Sequence, residues 1–254
     1  MNNWLKPIRD AIVGLVFPQM CRLCAALIES LDDGVTCDQC WQQMPQVISG
    51  SRCVRCGVPQ HVERTSADAS ARCPQCRGAD FALLRFVGPY AGALRENVLF
   101  LKDHPLICQR MRAMIIETFE QENQLHSATR VVPVPLHPLR RKERGFNQGE
   151  LIAQIIVREA NILLDCQTLA RIKHTGPHRA GMDAQARAKS VGAAFAVKRP
   201  DRIQNQIILL VDDVFTTGAT LDACSHALIQ AGAKAVYGFT VARVMGESLI
   251  RRRA

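Results

Sequence analysis

Eight of the eleven cysteines in this 254-residue chain fall within its first eighty positions as four Cys-x-x-Cys pairs: Cys21 and Cys24, Cys37 and Cys40, Cys53 and Cys56, Cys73 and Cys76. Two cysteines separated by two residues can turn both thiolates toward one ion, and a second such pair completes the tetrahedron that Zn²⁺ prefers. Twelve residues separate the first two pairs and sixteen the last two, room for a small hairpin in each case, and Gly57 directly after Cys56 can relieve the crowded turn. The intervening stretches hold few large apolar side chains, so metal binding would supply most of the folding free energy. Two structural zinc ions, each closed by four thiolates, are expected. Spacing alone leaves open which pairs share an ion. Disulfides, redox dithiols and an iron–sulfur cluster are the competing uses of such pairs. Disulfides suit a secreted scaffold, and a redox pair would follow a strand and open a helix. Trp41 is expected to pack over the knuckles, Arg52 and Arg55 are candidates for a docking surface, and His61 reads as a solvated side chain in the loop from Gln60 to Arg72.

The chain is longer than the usual single domain, which favours a zinc-binding module over 1–80, an α/β domain over 81–246 and a basic tail over 247–254. The opening stretch, with an apolar patch from Ala11 to Phe17, lacks the small-residue cleavage site of an export signal and falls far short of a membrane span. A short amphipathic helix packing on the next module, no membrane span and a cytoplasmic location are expected. Charge is uneven. Eight Lys/Arg face eight Asp/Glu up to Asp80, against 24 and 15 from Phe81 onward, so the formal +9 belongs to the second part. A polyanion or a phosphorylated small molecule is the partner that such a surface suits.

From Phe81 the pattern alternates. Strand-like runs at 81–90, 130–136, 206–213 and 233–243 are separated by helical periodicity at 91–103, 106–120, 147–161 and 219–232. That is the signature of an α/β fold with a mostly parallel sheet covered on both faces. Ligands bind at the carboxyl ends of the strands in such sheets. The run "IILLVDDVFTTGAT" places Asp212 and Asp213 at one such end, followed by Phe215, Thr216, Thr217, Gly218, Ala219 and Thr220. A helix starting near Gly218 would present unpaired N–H groups, with threonine hydroxyls beside them, to a phosphate. The acids cannot hold the phosphate itself, but they can hold vicinal hydroxyls or Mg²⁺ attached to it. Together these describe a site for a 5-phosphoribosyl group. A nucleotide triphosphatase would need G-x-x-x-x-G-K-[ST], which the chain lacks.

A second constellation runs from Val131 to Glu150. Pro133, Val134, Pro135 and Leu136 form a stiff turn after a strand, then Arg140, Arg141, Lys142 and Arg144 follow with Glu143 as the only acid among them. Guanidinium forks suit phosphate, although a charge run is often only a solvated face.

The four Cys-x-x-Cys knuckles, "YAGALRENVLFLK", "VPVPLHPLRRKERGFNQ", "HTGPHRAGM" with Arg187, and "ILLVDDVFTTGAT" together resemble the ComF family of competence-associated, predicted phosphoribosyltransferases over nearly the whole chain. The resemblance implies a double zinc ribbon before a type I phosphoribosyltransferase-like domain. It implies that Asp212 and Asp213 meet ribose hydroxyls and Mg²⁺, that residues 215–220 wrap the 5-phosphate, and that Pro133–Leu136 form the pyrophosphate loop. Lys173, His174, Thr175, His178 and Arg187 would belong to a mobile loop over the reaction centre. The segment departs from the family pattern at Thr175–His178 and at Ser190, so binding of phosphoribosyl pyrophosphate is the firmer expectation and transfer the weaker one. The alternative is a non-catalytic factor that handles single-stranded DNA, with competence or DNA-processing proteins as partners. The aromatic content of 5% leaves little for a base-stacking platform.

Overall fold

The computed structural model describes residues 18–60, 73, 76–173 and 194–251. The opening segment expected to be an amphipathic helix lies outside them, as do His61 and most of the loop around it. A first cysteine unit leads into helix α1 (Asp38–Gln42) and strand β1 (Gln46–Val47). A second cysteine unit precedes β2 (Leu83–Pro89), α2 (Gly92–Phe100), α3 (Gln109–Glu120), β3 (Arg130–Pro133), α4 (Pro138–Arg144) and α5 (Gln148–Ala160). The chain continues through β4 (Leu163–Leu164), β5 (Leu169–Arg171), β6 (Phe195–Val197), β7 (Ile207–Phe215), α6 (Ala219–Gln230), β8 (Ala235–Arg243) and β9 (Ile250–Arg251).

Five strands form one sheet in the order β2-β8-β7-β3-β4, every neighbouring pair parallel. Ile208, Leu209, Leu210 and Val211 of β7 are all fully buried, as a central strand covered on both faces requires. On one face α2, α3 and α5 pack with Trp41. On the other lie α6, the antiparallel β5–β6 pair and the second cysteine unit. The expected fold class, a small double zinc-binding module before a mostly parallel α/β domain, is the one observed.

The two cysteine units join this core differently. Cys53, Cys56, Cys73 and Cys76 belong to the same apolar cluster as Leu84, Phe215 and Leu221. The Leu84 N–H donates to the Arg55 carbonyl at 2.7 Å, so the second unit covers part of the outer edge of β2, which would otherwise expose unpaired backbone. Arg55 is not on a docking surface. Its guanidinium turns inward and donates to the carbonyls of Phe81 (2.6 Å), Cys76 (3.2 Å) and Ala79 (2.5 Å). The first unit forms its own small cluster around Cys21, Ile28 and Cys37 and docks through Asn97. That buried amide accepts from Val35 N–H at 3.2 Å and donates to Thr36 Oγ1 at 3.0 Å. Trp41, expected over the knuckles, is instead buried in the cluster of α2, α3 and α5, with its Nε1 donating to the Asp33 carbonyl at 2.9 Å. The chain end returns to this module, since β9 pairs with β1 in antiparallel fashion.

Two boundaries differ from the sequence expectation. The charge run after Leu136 folds as α4, capped by the His137 side chain, opened by Pro138 and closed by Gly145 at φ +81°; these are local start and stop signals rather than hydrophobic periodicity. β7 continues two residues beyond Asp213 because β8 keeps pairing with it. Among the described residues no helix is long and apolar enough to cross a membrane.

Candidate functional site

The cysteine units resolve the pairing that spacing left open. Cys21, Cys24, Cys37 and Cys40 converge at one point, and Cys53, Cys56, Cys73 and Cys76 at another. Sγ atoms lie 3.7 Å apart for Cys21 and Cys40, 3.5 Å for Cys24 and Cys37, 3.6 Å for Cys53 and Cys76, and 3.3 Å for Cys56 and Cys73. Thiolates about 2.3 Å from a tetrahedral Zn²⁺ sit roughly 3.8 Å from one another, whereas disulfide sulfurs sit about 2.05 Å apart. The spacing fits zinc, and the thiols are free. The two knuckles share one backbone pattern. Ala25 N–H donates to the Cys21 carbonyl and Gly57 N–H to the Cys53 carbonyl, with φ of +58° and +68° at these equivalent turns. With four thiolates each, neither centre has a position left for substrate, and both are structural.

The second feature lies in the sheet. The connection from β3 through α5 leads outward to β4, and that from β7 through α6 leads the other way to β8. Strand order therefore reverses between β3 and β7, and the crevice beyond their carboxyl ends is the topological switch point where open α/β sheets bind ligands. Pairing between these strands ends at Pro133 and Val211, with Val134 N–H donating to the Val211 carbonyl at 2.8 Å. Beyond Val211, β7 stays paired with β8 alone among the described residues, so the edge from Asp212 to Phe215 opens into the crevice.

Strand alternation places Asp212 on the face of Ile208 and Leu210, where Cys224 and Arg171 feel its charge. It turns Asp213 toward the other face, where its charge reaches Tyr90. Burial, and then the adjacent Asp213 carboxylate, push the Asp212 carboxyl well above its ordinary range. Thr240, in register with Asp212, has a buried hydroxyl with no hydrogen-bond partner among the described residues.

The turn after β7 is built for close approach. Gly218 takes φ +85°, and a Cβ there would stand 2.6 Å from the ring of Phe215, so only glycine fits. Gly218 has no side chain to cap α6, and the Thr217 hydroxyl is 3.5 Å from the Ala219 N–H. Thr216 and Thr217 are exposed, and Ala219 and Thr220 half-buried, around the N-terminus of α6.

The turn after β3 lines a cleft of about 770 Å³ together with Arg141, Lys142 and Arg171. Asn147 fixes this turn, since its Nδ2 donates to the Val134 carbonyl at 2.9 Å and its Oδ1 accepts from Gly149 N–H at 3.0 Å. Arg140, Arg141 and Lys142 are exposed and Arg144 half-buried. Arg141 pairs with Glu150 one helix onward, a neutralisation that the local charge run does not reveal. Arg171, half-buried at the end of β5, is held below the usual arginine range by burial, with Arg140's charge adding to the effect. Arg171, Asn147 and Glu150 were not among the sequence candidates. The Asn before a helical pattern was a readable cap signal, whereas nothing local marks Arg171. Lys173 is exposed just past β5; His174, Thr175, His178 and Arg187 lie outside the described residues. The two sides of that connection meet where Ile172 N–H donates to the Ala194 carbonyl at 2.7 Å.

Residues 12–78 match the family model of the double zinc ribbon domain. The chain is similar to the DNA utilization protein YhgH of Salmonella typhimurium, 26% identical over 91% of this chain and 100% of that protein. It is 30% identical to competence protein F of Haemophilus influenzae over 53% of this chain and 58% of the relative. Competence protein ComFC of Bacillus subtilis is 28% identical over 83% and 85% of the two chains.

Proposed function

We propose that this protein binds 5-phosphoribosyl pyrophosphate with Mg²⁺ at the β3–β7 switch point, as a ComF-like, phosphoribosyltransferase-type protein serving DNA uptake and natural competence in the cytoplasm. The observation that carries the proposal is the position of the two loops. One follows β3 and bears the basic helix; the other follows β7, which carries the acids near its end, and leads into the N-terminus of α6; both flank the same crevice. The relatives' names, competence protein and DNA utilization protein, supply the biological setting.

Residues 216–220 would hold the 5-phosphate through helix N–H groups and hydroxyls. Asp213 and Asp212 would accept from ribose hydroxyls at the open edge of β7. Arg140, Lys142 and Arg171 would draw the pyrophosphate into the cleft and stabilise it as it departs from C1 when a nitrogen nucleophile attacks. The donors at the acidic end are oxygens only, which suits Mg²⁺. Such a site takes the ion largely through water and substrate phosphates. Mg²⁺, when bound, neutralises charge on the leaving pyrophosphate.

A second assignment has its own support. α4 buries none of its seven residues and exposes Arg140, Arg141 and Lys142, with Arg144 half-buried, a surface that suits single-stranded DNA. In that case the phosphoribosyl pocket would take a terminal nucleotide phosphate, with DNA-processing proteins as partners. Calorimetric titration of the zinc-loaded chain with phosphoribosyl pyrophosphate and Mg²⁺, repeated with a 5′-phosphorylated oligonucleotide, separates the two. Saturable binding of the small molecule is the expected result. Binding of the oligonucleotide alone would favour the second assignment.

A further inference from the structure

The cleft beyond β3 is larger and more apolar than pyrophosphate needs. It encloses about 770 Å³, inside the range of about 300–1,000 Å³ spanned by sites for organic ligands. Pyrophosphate is a compact, strongly hydrated anion that gains from donors and cations, and carbon walls give it nothing in return for lost water. Arg171, which feels the charge of Asp212, and Lys142 bring positive charge to the cleft. Much of the remaining lining is carbon, from Pro135, Leu136, Pro138, Leu169 and Ala170.

Both walls are tied from behind by buried polar side chains. Asn147, 3% exposed, holds the turn after β3 through the Val134 carbonyl. Asp165, 2% exposed, holds the turn after β4. Its Oδ1 accepts from the Gln167 and Thr168 N–H groups at 2.9 and 3.0 Å, and its Oδ2 accepts from Thr168 Oγ1 at 2.6 Å. Arg130 and Arg202 stand 3.4 and 3.8 Å from the same Oδ2. A carboxylate satisfied from so many sides fixes its turn, which presents the exposed Cys166 and Gln167 to the cleft. The phosphoribosyl assignment gives this second wall no task. Arg141 and Glu150 complete the lining as an ion pair, with donor and acceptor side by side. Carbon for the faces of a base, a donor and an acceptor for its edge, and cations for phosphates are together what a nucleotide requires.

We propose that this cleft is a subsite for a free nucleoside diphosphate, with the base between the two walls and the phosphates at Lys142 and Arg171. Those phosphates would lie where the phosphoribosyl assignment seats the pyrophosphate, so the nucleotide and phosphoribosyl pyrophosphate exclude each other and the nucleotide acts as a competitive regulator. That competition rests on the phosphoribosyl assignment; the subsite itself rests on the cleft.

The test uses the full zinc-loaded chain with Mg²⁺ and a panel of ADP, GDP, CDP and UDP, with inorganic pyrophosphate and ribose 5-phosphate as competitors. At least one diphosphate should bind about tenfold more tightly than pyrophosphate, because a base face leaves water. Pyrophosphate should displace it, and ribose 5-phosphate should not. Cys166→Trp, which fills the cleft, should weaken the diphosphate about tenfold or more and leave pyrophosphate within about twofold, while Cys166→Ser should change neither. Diphosphates that bind no more tightly than pyrophosphate, or undiminished binding in folded Cys166→Trp, overturn the subsite. Displacement by ribose 5-phosphate also overturns it, since the nucleotide would then sit in the crevice after β7. Should Cys166→Trp not fold, alkylation of Cys166 in the unaltered chain decides: the bound diphosphate should shield the thiol, and an unshielded thiol overturns the subsite. A 5′-phosphorylated trinucleotide that binds about tenfold more tightly than the diphosphate would make the occupant a strand and overturn the assignment to a free nucleotide. Binding of the diphosphate without binding of phosphoribosyl pyrophosphate refutes the phosphoribosyl assignment instead and leaves the subsite standing.

Discussion

A methyl group on Gly149 would stand 2.9 Å from the carbonyl oxygen of Val211. That approach seats the first turn of α5 directly on β7 where its pairing with β3 ends, and it sets the depth of the crevice. Gly149→Ala is expected to force the helix outward and to destabilise the chain by about 1–3 kcal/mol. Ligand affinity at the switch point should fall with it. Denaturant unfolding and probe titration check this, and an unchanged midpoint would mean that α5 moves away without cost.

The two thiolate centres should be unequal. Cys24 is exposed, whereas all four cysteines of the second centre are buried in the cluster that supports the sheet. Cys24→Ser and Cys53→Ser should each lose one zinc, but only Cys53→Ser should lower the melting temperature of the α/β domain substantially. Metal analysis with thermal melts measures both. A zinc content below one per unaltered chain, or an iron–sulfur spectrum, would contradict the assignment.

Asp212 should have opposite effects on stability and on binding. Its folded carboxyl titrates above the unfolded value of 3.8, so the stabilisation it gives is complete below that value and is lost as pH rises through the folded value. At neutral pH the carboxyl's buried place beside Asp213 is a net cost. Asp212→Asn should therefore melt higher at pH 7, by roughly 2–4 °C for each kcal/mol gained in a chain of this size. The gain should vanish below about pH 4, where the native carboxyl is already protonated. Scanning calorimetry across that range checks the sign, and a lower melting point at pH 7 would contradict it.

Much of this was legible because it is local. The apolar run 207–211 and the glycine before α6 each announce their place in the fold within a few residues, and the Cys-x-x-Cys spacing announces its own chemistry. What escaped depends on contacts distant in sequence. Arg141 meets Glu150 only because α4 and α5 fold back on each other, and Arg55 turns inward only because the second ribbon lies along β2. Arg243 reads in sequence as one more basic residue, whereas the fold buries it fully and turns it to the Cys56 carbonyl. The alternation that parts Asp212 from Asp213 follows from the strand running on to Phe215 rather than ending at the acids.

If single-stranded DNA crosses the basic helix, the salt dependence of binding should report it. Arg141 is engaged by Glu150, which leaves Arg140, Lys142 and Arg144 as the principal phosphate contacts. At about 0.7 per contact, changing all four basic residues to Ala should flatten the slope of log affinity against log salt by about two. An unaltered slope would place DNA elsewhere.

The most direct measurement is titration of the zinc-loaded chain with phosphoribosyl pyrophosphate and Mg²⁺, beside the same titration of Asp212→Asn/Asp213→Asn. The double variant should keep both zinc ions and its fold, because two neighbouring like charges are removed, and should bind about tenfold more weakly or worse as the charged acceptors for the ribose hydroxyls disappear. Equal affinity in a folded double variant would contradict a phosphoribosyl site at the β3–β7 crevice.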